Sequence, residues 1–200
     1  MNLARLLQLA SPTLPVGAYS YSQGLEAALA AGIVSDAASA ERWIADVLEL
    51  CVARSDAPLL WRMLHGEDCN EIFIASRETA ELRAETLQMG HSLCRLLAEL
   101  GVEVPEGEIA FPTAYALAAR TWNLEPRAAL VAYLWSWLEN QVMAAVKAVP
   151  LGQTAGQKIL LSLGARLEDV AGDTEFSNFA PGLAILSSRH ETQYSRLFRS

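Results

Sequence analysis

Glu125–Lys147, with the sequence EPRAALVAYLWSWLENQVMAAVK, is the most apolar predicted helix of the chain and decides its fold. Pro126 lies in its first turn, where backbone N–H groups have no partner within the helix. The missing N–H of proline therefore costs no helical hydrogen bond. Apolar residues then recur at helical spacing around most of the circumference, namely Leu130, Leu134, Trp137, Leu138 and Val142. We therefore predict a long central helix that is covered on most sides.

The rest of the chain shows helical periodicity and no sustained alternation typical of strands. Further helices are predicted over residues 3–10, 23–31, 36–54, 55–65, 68–76, 77–100, 112–120 and 183–189, with another between Gly152 and Leu167 or Ala171. A new helix is expected to start at Ser55–Pro58, and Gly90 is expected where another helix approaches closely. The prediction is one compact all-α domain, residues 1–186, followed by a flexible C-terminal tail, residues 187–200.

Ser11–Glu26, SPTLPVGAYSYSQGLE, is an unusual connector. Pro12 and Pro15 hold its first half extended, and Gly17 permits a turn that a side chain would hinder. The segment is predicted to be a rigid bend that leads into a helix. The residues it displays are Tyr19, Tyr21 and Gln23. The alternative is a buried turn whose tyrosines fill the core, as aromatic residues often do.

Charge and cysteine usage narrow the class of protein. The 200 residues carry a formal net charge of −8, which disfavours a nucleic-acid partner. Cys51, Cys69 and Cys94 lie far apart without a CxxC pair, so we expect reduced thiols in a cytoplasmic protein. The longest apolar stretch has Glu139, Asn140 and Gln141 in its middle, and no membrane span is predicted.

Motifs that would mark an enzyme are missing. The sequence has no GxxxxGK[ST] phosphate loop and no GxSxG elbow. His190–Glu191 begins like HExxH, but Tyr194 stands where that zinc motif needs its second histidine. No catalytic residue, cofactor or metal site is therefore predicted. His65 with Cys69, and His91 with Cys94, have spacings that a shared metal ion would also allow.

Two polar clusters are candidates for partner contacts. Lys147 ends the central helix, where it either compensates the helix dipole or presents a charge to a partner. The next helix begins beyond Gly152 with Gln153, Gln157 and Lys158. The tail combines arginines with aromatic residues, types that are enriched at interface anchors. The alternative for the tail is a terminal helix docked on its own domain.

Five segments resemble, in the same order, the motifs of the UreF family of urease accessory proteins. They are PVGAYSYSQGLE from Pro15, ELRAETL from Glu81, FPTAYALAA from Phe111, the run from Tyr133 to Leu160, and HETQYSRLFRS from His190. Gln88–Gly90, Lys147 and Lys158 depart from the pattern. At the two lysine positions, some members have arginine. The resemblance covers nearly the whole chain.

The resemblance implies an all-α, non-enzymatic accessory protein that forms a homodimer. Members of the family join the accessory protein UreD/UreH to the GTPase UreG. That assembly helps to insert nickel into apo-urease, whose bridging lysine is carbamylated. Regulation of the GTPase is then a coupling between partner contacts and nucleotide state.

The same resemblance assigns residues to two surfaces. A GTPase-facing surface is expected at Pro15, Tyr19 and Lys147, bordered by Gln153, Gln157 and Lys158. A UreD/UreH-facing surface is expected at Arg189, Tyr194, Arg196 and Phe198. The competing hypothesis is a nickel-carrying protein with His65, Cys69, His91, Cys94 or His190 as ligands.

Overall fold

The computed structural model describes residues 2–172 and 175–200, and every regular element in these ranges is helical. A 3₁₀ turn lies at Ala18–Ser20 and a π-helix at Leu48–Asp56. The α-helices are α1 Leu3–Ala10, α2 Leu25–Ala30, α3 Ala37–Val47, α4 Ala57–Leu64, α5 Asn70–Ala75, α6 Ala80–Glu99, α7 Phe111–Thr121, α8 Pro126–Ala148, α9 Gln153–Gly164, α10 Leu167–Val170 and α11 Pro181–His190. The predicted single all-α domain is confirmed.

Helix α8 is the centre of the bundle, as its sequence predicts. It packs against α1, α2, α3, α4, α9 and α10. Its side chains at Leu130, Leu134, Leu138 and Val142 are fully buried. Glu125 caps the helix by accepting hydrogen bonds from the Arg127 and Ala128 amides. Burial on several sides explains why this helix is apolar over most of its surface.

The predicted helix start at Ser55–Pro58 is wrong, because α3, the π-helix and α4 form one continuous helix from Ala37 to Leu64. Pro58 has no N–H to donate to the Arg54 carbonyl four residues earlier. The amide of Ser177 donates to that carbonyl instead, at 2.8 Å. The wider π-turn also relieves the clash of the proline ring with the preceding turn. The chain therefore continues through the proline without a break.

Gly90 marks a close approach, but to an irregular segment rather than to another helix. A Cβ atom built on Gly90 would lie 1.9 Å from the Ile109 carbonyl oxygen and 2.9 Å from the Ala110 carbonyl carbon. These atoms belong to the backbone that leads into α7, and the adjacent Phe111 amide donates to Thr86 of α6. Glycine at position 90 thus lets the entry to α7 lie directly on α6.

We predict that Gly90→Ala lowers the free energy of unfolding by about 3 kcal/mol. The new methyl group would clash with backbone atoms, which cannot move aside as the end of a flexible side chain could. Gly182→Ala is the matched control, since that glycine is also helical and has nothing within 4 Å of its Cβ position. There alanine is expected to add about 0.5–1 kcal/mol. Urea unfolding of both variants measures the difference. Equal effects at the two positions would contradict the packing of α6 against residues 109–110.

The C-terminal segment lies against the body of the domain. Ser187, where the predicted tail begins, is inside α11, and this helix packs on α2 and α6. Residues 191–200 continue as turns along the same surface. Among the described helices, none combines the length and the apolar character that a membrane crossing requires.

Candidate partner-binding site

The N-terminal bend has the left-handed residues that its glycines predict. Gly17 has φ = 78° and Gly24 has φ = 83°, and between them the chain makes the 3₁₀ turn. Tyr19 lies at the tip of this turn with 75% of its surface exposed. Tyr21 is instead buried and donates its hydroxyl to Gln88. The bend thus displays one of its two tyrosines and uses the other for packing.

Glu26, at the end of this bend, binds the backbone of the C-terminal tail. Its two carboxylate oxygens accept hydrogen bonds from the amides of Leu197 at 2.7 Å and Phe198 at 2.9 Å. The side-chain amide of Gln193 donates to the same carboxylate at 3.3 Å. Hydrogen bonds to a charged acceptor are stronger than neutral ones, so Glu26 is a specific anchor for the tail.

Glu81 of α6 supplies a second anchor. The His190 ring is fully buried between two carboxylates, with Nδ1 2.7 Å from Glu81 and Nε2 3.2 Å from Glu26. Arg196 pairs with the other oxygen of Glu81 at 2.6 Å. The end of α11 and the tail beyond it are thereby held to α2 and α6 by charged contacts.

Glu85 lies one turn after Glu81 and is the third anchor. Its carboxylate accepts from the Ser200 hydroxyl at 2.8 Å and from the Gln23 side-chain amide at 2.7 Å. Gln23 in turn accepts from the Trp137 indole of α8 at 2.7 Å. Burial raises the pKa of Glu85 to about 7, although the two hydrogen bonds lower it. The tail therefore ends over a buried acid.

The two predicted surfaces meet at Lys147 and Phe198. The Phe198 ring is 5% exposed, and the Lys147 ammonium lies 4.8 Å from its centroid. That distance suits a cation–π contact. Backbone hydrogen bonds also join Ser20 and Ser22 of the bend to residues 199 and 200. The N-terminal motif, the tail and the end of α8 consequently form one continuous surface.

The remaining predicted residues are all exposed. Tyr194 is fully exposed, Arg189 is exposed on α11, and Pro15 is exposed in the bend. Gln153, Gln157 and Lys158 line the exposed face of α9. Within the described residues, no hydrogen bond or ion pair joins these three to Lys147. The roles assigned to all of these side chains stay predictions.

The histidines and cysteines of the competing hypothesis have separate surroundings. The His65 ring contacts the Trp61 carbonyl at 2.8 Å, and Cys69 is buried. His91 and Cys94 lie beside one another in a surface groove on α6. In residues 2–172 and 175–200, no group of three or more histidine, cysteine, aspartate or glutamate side chains is placed to hold a metal ion.

Glu26, Glu81 and Glu85 are not among the site residues that were predicted from the sequence. The spacing of Glu81 and Glu85 places both on one face of α6, which is a readable signal. It does not reveal what faces them, because the tail lies more than 100 residues further along the chain.

Residues 34–164 match the model of the UreF family. The urease accessory protein UreF of Azoarcus sp. (strain BH72) is 56% identical over 229 residues, covering 100% of this chain and 96% of that protein. This chain belongs to the UreF family of urease accessory proteins. UreF of Dechloromonas aromatica (strain RCB) is 51% identical and is covered over 98% of its length.

A further relative is a fusion. The bifunctional urease accessory protein UreEF of Bordetella bronchiseptica is 48% identical over 226 residues, which cover 100% of this chain and 52% of that protein. The two UreF relatives and this fusion are all named urease accessory proteins. The matches to the Azoarcus, Dechloromonas and Bordetella proteins each cover 100% of this chain, so they span the bend, α6 and the tail.

The raised pKa of Glu85 makes stability depend on pH. In the unfolded chain the carboxyl ionises near its ordinary pKa of 4.5, whereas in the fold it stays protonated up to about 7. The contribution of Glu85 to the free energy of unfolding is therefore fully present below pH 4.5. It falls by about 3 kcal/mol as the pH rises to about 7. The nearby Asp56 carboxylate also raises the pKa of Glu85, and the Arg77 guanidinium lowers it.

We predict that Glu85→Gln removes most of this decrease between pH 5 and pH 8, as measured by urea unfolding at both values. Glu99→Gln is the control, because Glu99 is exposed at the end of the same helix. Parallel stability curves for the wild type and the Glu85→Gln variant would contradict the buried, protonated acid.

A second prediction concerns Glu26. Replacing Glu26 by glutamine leaves one oxygen acceptor for two backbone amides and weakens the contact with His190. We expect the free energy of unfolding to fall by about 2 kcal/mol. Glu99→Gln is again the control and is expected to change little. A Glu26→Gln variant as stable as the control would show that the tail does not depend on this anchor.

Proposed function

We propose that this chain is a non-enzymatic scaffold that joins UreD/UreH to the GTPase UreG during nickel insertion into apo-urease. In this proposal it works in the cytoplasm as a homodimer, and its contacts regulate the GTPase. The observation that supports the proposal is the joining of three family motifs in one surface. The bend, α6 and the tail meet through Glu26, Glu81 and Glu85.

Two groups of side chains on this surface have different tasks in the proposal. Arg196 and Phe198, which the resemblance assigns to the UreD/UreH contact, hold the tail to Glu81 and Lys147 of the body in the free chain. Arg189 and Tyr194 remain exposed and are available to UreD/UreH. Tyr19 is exposed at the tip of the 3₁₀ turn and is assigned, with Pro15 and Lys147, to the GTPase.

Size-exclusion chromatography with light scattering tests the bridging role. This chain is mixed with its UreD/UreH and UreG counterparts, with and without GTP. Co-elution of all three that is lost when this chain is omitted is the expected result. The mass of the chain alone reports whether the homodimer forms without partners. Recovery of a UreD/UreH–UreG complex without this chain would contradict the proposal.

Substitution of Lys147 tests its assignment to the UreG contact. Lys147→Ala is expected to lower the affinity for UreG at least about tenfold while binding of UreD/UreH changes little. Lys147→Arg keeps the charge and the contact with Phe198, and should bind like the wild type. If Lys147→Ala lowered the affinities for UreG and UreD/UreH equally, the lysine would act only through the tail. Unchanged UreG binding would refute its assignment.

The exposed tail residues test the other contact. The double variant Arg189→Ala, Tyr194→Ala is expected to weaken UreD/UreH binding at least about tenfold, since exposed arginine and tyrosine are frequent interface anchors. The chain should unfold at the same urea concentration, because neither side chain is buried. Arg120→Ala, an exposed position at the end of α7, is the control. Undiminished UreD/UreH binding by the double variant would refute the assignment.

A further inference from the structure

A cavity of about 340 Å³ lies between the N-terminal bend, the π-helix, α6 and α8. Three of its lining residues, Pro12, Tyr19 and Met143, are exposed. Its interior reaches Asp56 at the end of the π-helix and Glu85 on α6. The volume is within the range of small-molecule sites, and none of the partner contacts proposed above uses the interior.

The charges in the cavity wall do not balance. Asp56 and Arg77 form a buried ion pair at 2.8 Å, so the guanidinium in the wall is already paired. Among the described residues, Glu85 and Glu139 form no ion pair. Burial raises the pKa of Glu139, as it does that of Glu85. An ionised acid in such surroundings gains free energy from a positively charged neighbour.

Glu85 retains acceptor capacity for such a neighbour. Gln23 occupies one lone pair of one oxygen, and the Ser200 hydroxyl occupies one lone pair of the other. A carboxylate offers about four acceptor sites, so about two remain. Glu85 is one of the residues that line the cavity. A planar amidinium or guanidinium group is the donor that fits two carboxylate oxygens at once.

The other walls suit an organic body. Phe111 and Tyr133 lie in ring contact at 5.8 Å, and both line the cavity together with Trp137. The remaining wall is largely aliphatic, with Val52 of the π-helix and Met89 of α6 among its residues. Aromatic faces attract cations, and the aliphatic surface favours an apolar ligand body.

We propose that this cavity binds a small organic cation, an amine or amidine on an apolar or aromatic body, with Glu85 as its counter-ion. The cationic group pairs with the Glu85 carboxylate, and the body lies against Tyr133 and Trp137. The site stands apart from the bridging role, which requires no ligand, so failure of either proposal leaves the other intact. Because Gln23 and Ser200 also bind Glu85, an occupant of the cavity contacts the same acid that holds the end of the tail.

Benzamidinium tests the proposal, with benzamide as a neutral molecule of nearly the same shape. Calorimetric titration of the full chain at pH 8 is expected to give a dissociation constant below about 1 mM for benzamidinium. Benzamide should bind at least about tenfold more weakly. In a spectrum of the ¹⁵N-labelled chain, the indole N–H of Trp137 is expected to shift with benzamidinium. If the wild-type chain bound neither compound, or bound both equally well, the proposal would be overturned.

Two variants locate the site. Glu85→Gln is expected to weaken benzamidinium at least about tenfold and to leave benzamide unchanged. Glu99→Gln, on the exposed end of the same helix, should bind like the wild type. Circular dichroism and urea unfolding confirm that each variant folds. Benzamidinium binding that survives Glu85→Gln, or a Trp137 indole that does not shift, would place the ligand elsewhere and overturn the assignment.

Discussion

Three glutamates determine how the two ends of this protein meet. Glu26 accepts the amides of Leu197 and Phe198, Glu81 accepts Arg196, and Glu85 accepts the Ser200 hydroxyl. Acids cluster on the body and cations on the tail, within a chain whose formal net charge is −8. The attraction is local and specific, because each carboxylate oxygen has a named donor.

The rest of the surface depends on this docking. Phe198 reaches the end of α8 because Glu26 fixes the Leu197 and Phe198 amides, and Lys147 then covers the ring. The bend is held in the same way, since Gln23 bridges Glu85 and Trp137. The proposed scaffold role needs a surface of fixed shape, and a tail that docks on α2 and α6 provides one. The buried acid under the tail also forms the wall of the cavity.

Much of this fold could be predicted from the sequence. The apolar circumference of α8 indicates a central helix, and Pro12, Pro15 and Gly17 indicate the bend. Other features depend on contacts between distant residues. Pro58 signals a helix break, yet Ser177 satisfies the Arg54 carbonyl and the helix continues. The spacing of Glu81 and Glu85 defines a face, but only the folded chain brings His190 and Ser200 to it.

Hydrogen exchange of the Leu197 and Phe198 amides in the free chain tests the central claim most directly. Both amides donate to Glu26 in the structure. The account predicts exchange at least about 100-fold slower than in an unstructured peptide, and a return toward the unstructured rate in the Glu26→Gln variant. Exchange at the unstructured rate in the wild type would mean that the glutamates do not hold the tail in the free protein.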